Sequence, residues 1–293
     1  MDGGLWAKLL DCFCMLCYGL FANWRLSQGW RIGVMEPSVV TPQKVTVVVP
    51  TYNEAENLPV LVERLLGLSA PGLTVLVVDD NSPDGTGRIA DELAKRHPGR
   101  VDVLHRPGKQ GLASAYMQGF QLALDGGASA VVQMDCDFSH PSDAIPAMVR
   151  KLQDADVVVG SRYVKGGGVD PSWGLKRRLL SSYGNLYART VLGLKPRDVT
   201  AGFKAFRREA LGRLGLKDLR CKGFAFQAEI AYRCKLARLT VVEHPIVFVD
   251  RSRGESKMSR AIIVEALVKL PQVRLTGLEI RTSSRKSTAV KKA

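Results

Sequence analysis

Two carboxylates separated by a single residue, Asp135 and Asp137, end the apolar run 128–134. Side chains at such positions of an extended chain point the same way, so the two carboxylates would crowd one spot. Like charges that close repel each other unless a cation or a proton lies between them. Carboxylates with further oxygen donors nearby suit a hard divalent cation such as Mg²⁺ or Mn²⁺, shared with a diphosphate. The pair therefore predicts a metal site, although a turn at Asp135 and a helix cap at Asp137 would explain the same pattern.

The segments that must position this pair alternate between apolar strands and amphipathic helices from Lys44 onward. Strand-like runs occupy 44–50, 73–80, 100–106, 128–135 and 155–163, and helical spacing marks 56–68, 84–97, 111–124 and 142–152. Near-continuous apolar strands joined by helical crossovers are typical of a mainly parallel sheet that is buried on both faces. The sequence therefore predicts an α/β fold, with ligands bound beyond the carboxyl ends of the strands.

Polar and mostly acidic residues fall at these predicted strand ends. They are Thr51, Asn53 and Glu54 after the first strand, Asp79 and Asp80 after the second, Asp135 and Asp137 after the fourth, and Ser161 and Arg162 after the fifth. Asp80 lies where it could accept hydrogen bonds from a base or a ribose, or could only cap the following helix. Because the carboxyl ends of parallel strands share one edge, we expect these residues to form one site.

Composition narrows the classes of ligand. The 293 residues carry a formal net charge of +14, which favours nucleic acid, an anionic membrane or phosphorylated small molecules as partners. The chain has no G-x-G-x-x-G, Walker or G-x-S-x-G motif, which argues against the commonest dehydrogenases, ATPases and hydrolases. Six cysteines in a chain of this length do not suggest a disulfide framework, so a reducing, cytosolic setting is expected.

The two ends of the chain differ from its middle. Residues 1–43 are predicted to form an N-terminal extension, in which the uncharged apolar run 12–24 is too short to cross a bilayer. This extension is expected to be poorly ordered, with contact to a membrane surface as the alternative. The main domain is expected over 44–273 and ends in an amphipathic helix at 259–273 that suits a membrane surface, followed by a basic flexible tail over 274–293.

Seven segments match the pattern of a known family. They read VVVPTYNEAENL, VVDDNSPDGT, GLASAYMQGF, MDCDFSHPSDAIP, GSRYVKGGG, KRRLLSSYGN and FVDRSRGESKM, in this order along the chain. The series resembles the dolichol-phosphate (polyprenol-phosphate) mannosyltransferases, which belong to the inverting glycosyltransferase family 2 and have a GT-A fold. The resemblance covers about residues 44–270, and DRSRGESKM is much more specific than the D-x-D pair. It implies a single glycosyltransferase catalytic domain over 44–273.

The resemblance also implies roles for particular residues. The donor would be bound by Pro50, Tyr52, Glu54, Val78, Asp80, Asp135, Cys136, Asp137, Arg162, Arg251 and Lys257. The acceptor phosphate would be bound by Arg162, Arg177, Ser181 and Arg251. The metal would be held by Asp135 and Asp137, with Ser139 where some relatives carry a glutamine as third ligand, so that water could replace the shorter serine. Asp137, Arg251 and Lys257 would carry the catalysis, and the loop 251–258 would close over the phosphates.

The implied activity is transfer of mannose from GDP-mannose to a polyprenyl (dolichyl) monophosphate, with inversion and with Mg²⁺ or Mn²⁺. The phosphate nucleophile is anionic at neutral pH, so the reaction requires no strong general base. The protein would bind peripherally at the cytoplasmic face of a membrane, and a separate membrane-anchoring subunit stays open as a partner. A UDP-glucose donor, a non-enzymatic sugar-nucleotide-binding protein and a nucleic-acid-binding protein are the alternatives. No nucleic acid is expected as a partner, because the chain carries no motif for it.

Overall fold

A computed structural model describes residues 43–221, 223, 225–250 and 265–277. Within these ranges the strands are β1 (Val45–Thr51), β2 (Thr74–Asp79), β3 (Val101–His105), β4 (Ala130–Gln133), β5 (Val157–Ser161), β6 (Gly168–Val169), β7 (Lys204–Arg207), β8 (Val241–Pro245) and β9 (Val247–Phe248). The five strands expected from the sequence correspond to β1–β5, with each end shifted by at most two residues. The strand predictions are therefore confirmed.

Seven of these strands form one sheet, in the order β3-β2-β1-β4-β7-β5-β8. Strands β1 to β4 pair in parallel, and so do β5 and β8. Strand β7 runs antiparallel to both of its neighbours, β4 and β5. The short strands β6 and β9 pair in parallel in a second sheet. The expected α/β fold with a mainly parallel sheet is confirmed, and β7 is a departure that the alternating pattern did not indicate.

Helices pack against both faces of the large sheet. They are α1 (Leu58–Leu66), α2 (Thr86–Arg96), α3 (Leu112–Asp125), α4 (Ile145–Lys151), α5 (Leu175–Leu192), α6 (Arg208–Arg213), α7 (Phe226–Leu236) and α8 (265–277). Alternate residues of β1 point to the two faces: Val48 belongs to the apolar cluster that includes residues of α3, α5, α7 and α8, whereas Val47 and Val49 belong to the cluster that includes residues of α1, α2 and α4. All three valines are fully buried, and each stabilises the fold by about 1.5 kcal/mol or more. Burial on both faces explains why β1 reads as a continuous apolar run.

Gly119 allows α3 to approach the sheet closely. A Cβ atom at this position would overlap Cγ1 of Val48 and would lie 3.0 Å from Cγ2 of Val78. Protein interiors are close-packed, so a methyl group here would push the helix away from β1 and β2. Helix α3 carries Tyr116 one turn earlier, and the glycine therefore sets the height of that tyrosine above the sheet.

The last described helix ends later than the sequence predicted. Helix α8 continues through residue 277, past the expected start of the tail at 274, and its Leu270 and Val273 are buried in the core. The N-terminal extension up to residue 42, the segment 251–264 and the tail from 278 lie outside the described residues. In the part that the structure describes, no helix is long and apolar enough to cross a membrane. The domain bounds stay a prediction.

Candidate active site

The polar strand ends meet at one edge of the large sheet. Asp135 and Asp137 follow β4, which pairs in parallel with β1. Because β7 is antiparallel to β4, with Lys204 opposite Gln133, the start of β7 lies at this same edge. The segment 198–202, which leads into β7, therefore joins the ends of the parallel strands. The edge predicted to bind ligands is built from both the ends of strands and the beginning of one.

Asp135 is held by contacts to its side chain and its main chain. The Tyr116 hydroxyl donates a hydrogen bond of 2.6 Å to Oδ1 of Asp135. The main-chain N–H of Asp135 donates to Nδ1 of His140 at 3.1 Å, so this imidazole is neutral and carries its proton on Nε2. His140 is buried and stacks on Phe203, with ring centroids 5.2 Å apart. Burial lowers the pKa of His140, which agrees with a neutral ring, and His140 therefore supports the loop that carries Asp135.

Asp137 is buried and is fixed by the residue two positions on. Its Oδ1 accepts hydrogen bonds from the main-chain N–H of Ser139 at 3.1 Å and from the Ser139 hydroxyl at 2.5 Å. The following 3-10 turn, Ser142–Ala144, has Pro141 at its N-cap and no side-chain cap, so Asp137 is not a helix cap. In this structure the Ser139 hydroxyl orients Asp137, and its role as a metal ligand stays a prediction.

The residues present fit a divalent cation. Asp135 and Asp137 offer the hard carboxylate oxygens that Mg²⁺ and Mn²⁺ prefer. A Cβ atom at Gly202 would lie 3.6 Å from Oδ2 of Asp135 and 3.2 Å from Cε1 of His140, so the glycine leaves space beside that oxygen. Among the described residues, no group of three or more His, Cys, Asp or Glu could hold a metal. The chain would thus supply part of the coordination sphere and leave positions for phosphate and water, as is usual for Mg²⁺.

Asp80, expected to accept bonds from a base or a ribose, is buried against a partner that the sequence did not indicate. Its Oδ1 accepts a hydrogen bond from Nη1 of Arg106, which is also buried. Nη2 of Arg106 donates to Ser114 at 2.9 Å and to Gln110 at 3.2 Å. Burial raises the pKa of Asp80, and the charge of Arg106 opposes that rise. A ligand at this position would meet an ion pair and not a lone carboxylate.

The loops that follow β1 and β2 are tied together by hydrogen bonds. The main-chain N–H groups of Asn53, Glu54 and Ala55 donate to side-chain oxygens of Ser82, Thr86 and Asp84, at 3.0 to 3.1 Å. These three hydrogen bonds hold the loops that carry Tyr52 and Glu54 in place. The ring of Tyr52 lies under the Lys109 ammonium, 4.3 Å from its centroid.

Three other predicted donor residues lie in or beside the core. The side chains of Val78 and Cys136 are buried, and Pro50 is half-buried in β1. Val78 could therefore meet a ligand only through its main chain. Burial raises the pKa of the Cys136 thiol well above its usual value, so this thiol stays protonated. These contacts with the donor stay predictions.

Arg162 is anchored by a buried acid. Its Nε and Nη2 donate to the two carboxylate oxygens of Asp198 at 2.8 and 2.9 Å, and Nη2 also donates to Thr200 at 2.9 Å. Such a two-pronged pair fixes the plane of the guanidinium. The remaining nitrogen, Nη1, has no hydrogen-bond partner among the residues that the structure describes. Arg162 can thus present one nitrogen to a phosphate while the other two hold it in place.

The predicted acceptor residues on α5 lie one turn apart and are each engaged. Nη1 of Arg177 donates to Asp250 at 2.7 Å, and the guanidinium carbon lies 3.9 Å from the centroid of the Trp173 ring. The Ser181 hydroxyl shares a hydrogen bond of 2.8 Å with the hydroxyl of Tyr163, the residue after Arg162. This bond ties Ser181 to the segment that carries Arg162. Arg251 and Lys257 lie outside the described residues.

A buried lysine lies behind the site and was missed from the sequence. Lys204 is fully buried, and its Nζ donates to the Ala201 carbonyl and to Oε1 of Gln227. Burial lowers its pKa from 10.5 to about 7. Gln133, its partner across β4 and β7, is also buried, and neither polar atom of its side chain has a hydrogen-bond partner among the described residues. Nothing in the local sequence distinguishes Lys204 from a surface lysine.

The fold and the site together define the class of the protein. A mannosyltransferase from Pyrobaculum calidifontis, solved in complex with GDP-Man and Mn²⁺, shares the fold with a TM-score of 0.53 at 20% identity, over 92% of this chain and 82% of that chain. The fold is thus that of the GT-A glycosyltransferases. The glycosyl transferase family 2 model matches residues 46–215, and the chain belongs to this family. The protein is a glycosyltransferase.

Two relatives refine this placement. The polyprenol monophosphomannose synthase of Mycolicibacterium smegmatis is 43% identical over 244 residues, covering 83% of this chain and 91% of that protein. The undecaprenyl-phosphate mannosyltransferase of Micrococcus luteus is 42% identical over 242 residues, covering 81% of this chain and 98% of that protein. The resemblance inferred from the seven sequence segments is confirmed.

Proposed function

We propose that the protein transfers mannose from GDP-mannose to a polyprenyl (dolichyl) monophosphate, with inversion at the anomeric carbon. The observation that carries the proposal is the match, over more than four fifths of this chain, to two enzymes named for mannosyl transfer to polyprenyl phosphates. The neighbour solved with GDP-Man and Mn²⁺ supports the choice of donor and the use of a divalent cation. The site described above is compatible with this chemistry in both its donor and its acceptor half.

In the donor half, the residues fit the departure of a diphosphate. When bound, a divalent cation held by Asp135 and Asp137 would neutralise charge on the leaving diphosphate. The Tyr116 and Ser139 hydroxyls hold one oxygen of each carboxylate. The Arg106–Asp80 pair and the tied loops after β1 and β2 would position the nucleoside. Binding energy from the nucleotide would thus orient the sugar for transfer.

In the acceptor half, cations would bring two anions together. Arg162 would direct Nη1 at a phosphate, and Arg177 and Ser181 would lie beside the lipid phosphate. Arginine suits this task because its planar fork matches phosphate oxygens and keeps its charge at any physiological pH. Val249, two positions before Arg251, donates its main-chain N–H to the Ser139 carbonyl at 3.2 Å, so the described chain passes next to the proposed metal site. This supports a role for Arg251 in the same site.

An exposed apolar face on α5 supports contact with a lipid surface. Leu175, Leu179, Tyr183 and Leu186, here called the α5 stripe, follow helical spacing and are each between 45% and 72% exposed. The exposed cations Lys176 and Arg178 flank the stripe on either side. An apolar stripe between cations is suited to an anionic membrane surface. The predicted acceptor residues lie on the other side of the same helix.

The net charge of +14 favours the cytoplasmic leaflet in particular, because anionic lipids give that surface a negative potential. We therefore place the protein peripherally at the cytoplasmic face of a membrane. A separate membrane-anchoring subunit is compatible with this placement and would add to its affinity.

Incorporation of label into lipid tests the activity. Membranes containing polyprenyl phosphate are incubated with the protein and labelled GDP-mannose or UDP-glucose, with and without EDTA. We expect label in the lipid phase from GDP-mannose alone, and its loss with EDTA. Lipid label from UDP-glucose in place of GDP-mannose would overturn the donor, and no lipid label from either nucleotide would overturn the transfer.

Replacement of Asp137 tests the metal site. Asp137→Ala should lower the rate to less than about a tenth of wild type with the fold retained, since loss of such a ligand removes several kcal/mol of transition-state stabilisation. Asp143→Ala, at a nearby exposed acid, is the matched control and should retain full activity. A rate near wild type in Asp137→Ala would remove the metal role from this residue.

A further inference from the structure

The hydrogen bond between Tyr116 and Asp135 joins a fully buried side chain to a half-buried one. The phenol donates to Oδ1 of Asp135 at 2.6 Å, and the Tyr116 side chain has no exposed surface. Hydrogen bonds to a charged acceptor are among the shortest and strongest in proteins. In the part of the chain that the structure describes, no other hydrogen bond reaches the carboxylate of Asp135.

The phenol ring has little freedom to move. It packs against Phe120 and Phe226, with centroids 5.7 and 6.0 Å away. The close approach of α3 to the sheet at Gly119 limits movement of the helix itself. A hydroxyl group carried on so constrained a ring points in one direction. The position of the donor is therefore set by the core and not by the loop that it contacts.

Asp135, in contrast, needs an external constraint. It lies beyond the last residue of β4, so the regular pairing of the sheet no longer fixes its backbone. The bond from its N–H to His140 anchors the main chain but leaves the carboxylate free to rotate about its side-chain bonds. A bond to Oδ1 removes that rotation, and it leaves Oδ2 facing the space beside Gly202.

We propose that Tyr116 is a positioning residue, which holds the Asp135 carboxylate so that Oδ2 is presented to the divalent cation. This inference rests on the proposed metal site. Residues that orient metal ligands from behind typically change metal affinity by about 10- to 100-fold when they are replaced. The aromatic ring supplies the packing and the hydroxyl supplies the orientation, so the two roles can be separated by removing one oxygen atom.

The test is Mn²⁺ binding to Tyr116→Phe in the presence of GDP, measured by the loss of the free Mn²⁺ signal in electron paramagnetic resonance. We expect affinity to fall about tenfold or more, with the far-ultraviolet circular dichroism unchanged. Tyr232→Phe is the matched control: Tyr232 is also buried, and its hydroxyl donates to the Arg274 carbonyl at 3.3 Å, away from the site. The control should bind Mn²⁺ as wild type does.

A second pair of variants separates orientation from general loosening of the core. Tyr116→Phe should produce no further loss of Mn²⁺ affinity when Asp135 is already replaced by asparagine, because the two residues act through one bond. Equal affinity in wild type and Tyr116→Phe, or equal losses in Tyr116→Phe and Tyr232→Phe, would overturn the inference. Absence of Mn²⁺ binding by the wild type would overturn the proposed metal site itself.

Discussion

Replacing Lys204 with methionine is expected to flatten the pH dependence of folding stability between pH 7 and pH 9. Lys204 is fully buried, and burial lowers its pKa from 10.5 to about 7. Interactions with Asp198 and Cys234 raise the pKa of Lys204, and the charge of Arg162 lowers it further. Because the net shift is downward, the desolvation of the buried amine outweighs its attraction to the nearby carboxylate of Asp198. The folded protein therefore carries a neutral amine over a pH range in which the unfolded chain carries an ammonium.

The magnitude follows from the two pKa values. Between about pH 7 and pH 10.5 the unfolded state binds more protons, so the free energy of unfolding rises with pH. A gap of about 3.5 pH units, at about 1.4 kcal/mol per unit, corresponds to about 5 kcal/mol of stability that is absent at and below pH 7. About 2 kcal/mol of this is recovered between pH 7 and pH 9. Burial raises the pKa of Cys234 from 9.0 to about 12, and that thiol acts in the opposite sense, mainly above pH 9.

Urea unfolding followed by circular dichroism at pH 7, 8 and 9 measures the slope. The free energy of unfolding of wild type should rise by about 2 kcal/mol relative to that of Lys204→Met across this range, whatever the absolute stability of the variant. Lys95→Met, at an exposed lysine of α2, should keep the slope of wild type. If Lys204→Met showed the wild-type slope, the assignment of a neutral amine at this position would be refuted.

Two further predictions test the packing of α3 and the surface of α5. Gly119→Ala should destabilise the protein by about 1–3 kcal/mol, because the added methyl group overlaps Val48. Gly184 lies in α5 with open space around it, so Gly184→Ala should instead stabilise the protein by up to about 1 kcal/mol. Similar melting temperatures for Gly119→Ala and Gly184→Ala would contradict the close contact at Gly119. Replacing Leu179 and Tyr183 of the α5 stripe together with aspartate should weaken sedimentation with anionic vesicles at least tenfold, whereas Leu122→Asp on α3 should not. Unchanged sedimentation of the double variant would move the membrane contact elsewhere.

The place of Asp135 and Asp137 at the edge of the sheet could be predicted from the sequence alone. An apolar run and the acids that close it are local features, and the alternation with helices indicates that parallel strands end together. The same reasoning placed Asp80 and Arg162 at this edge. The partners of these residues could not be predicted in this way: the sequence did not indicate that Asp80 lies in a buried ion pair with Arg106.

The partners of these residues depend on contacts that no local pattern records. Tyr116 lies 19 positions from Asp135, and its ring occupies an ordinary apolar position of a helix. Asp198 lies 36 positions from Arg162, in a segment without periodicity. The antiparallel direction of β7 could not be predicted either, because a four-residue strand contains no signal that distinguishes parallel from antiparallel pairing. These features depend on which distant segments of the chain meet in the folded core, and a single sequence does not show this.

The central position of β7 has a consequence for synthesis of the chain. Strands β1 to β4 are complete long before β7, and until Lys204–Arg207 emerge from the ribosome the outer edge of β4 has no partner. Strand β5 is also unpaired at this stage, because its partners β7 and β8 both follow it in the chain. An unpaired apolar edge readily adds strands from other chains. Truncated chains that stop before Lys204 should therefore aggregate, although β7, which fills the gap between β4 and β5, contains none of the predicted catalytic groups.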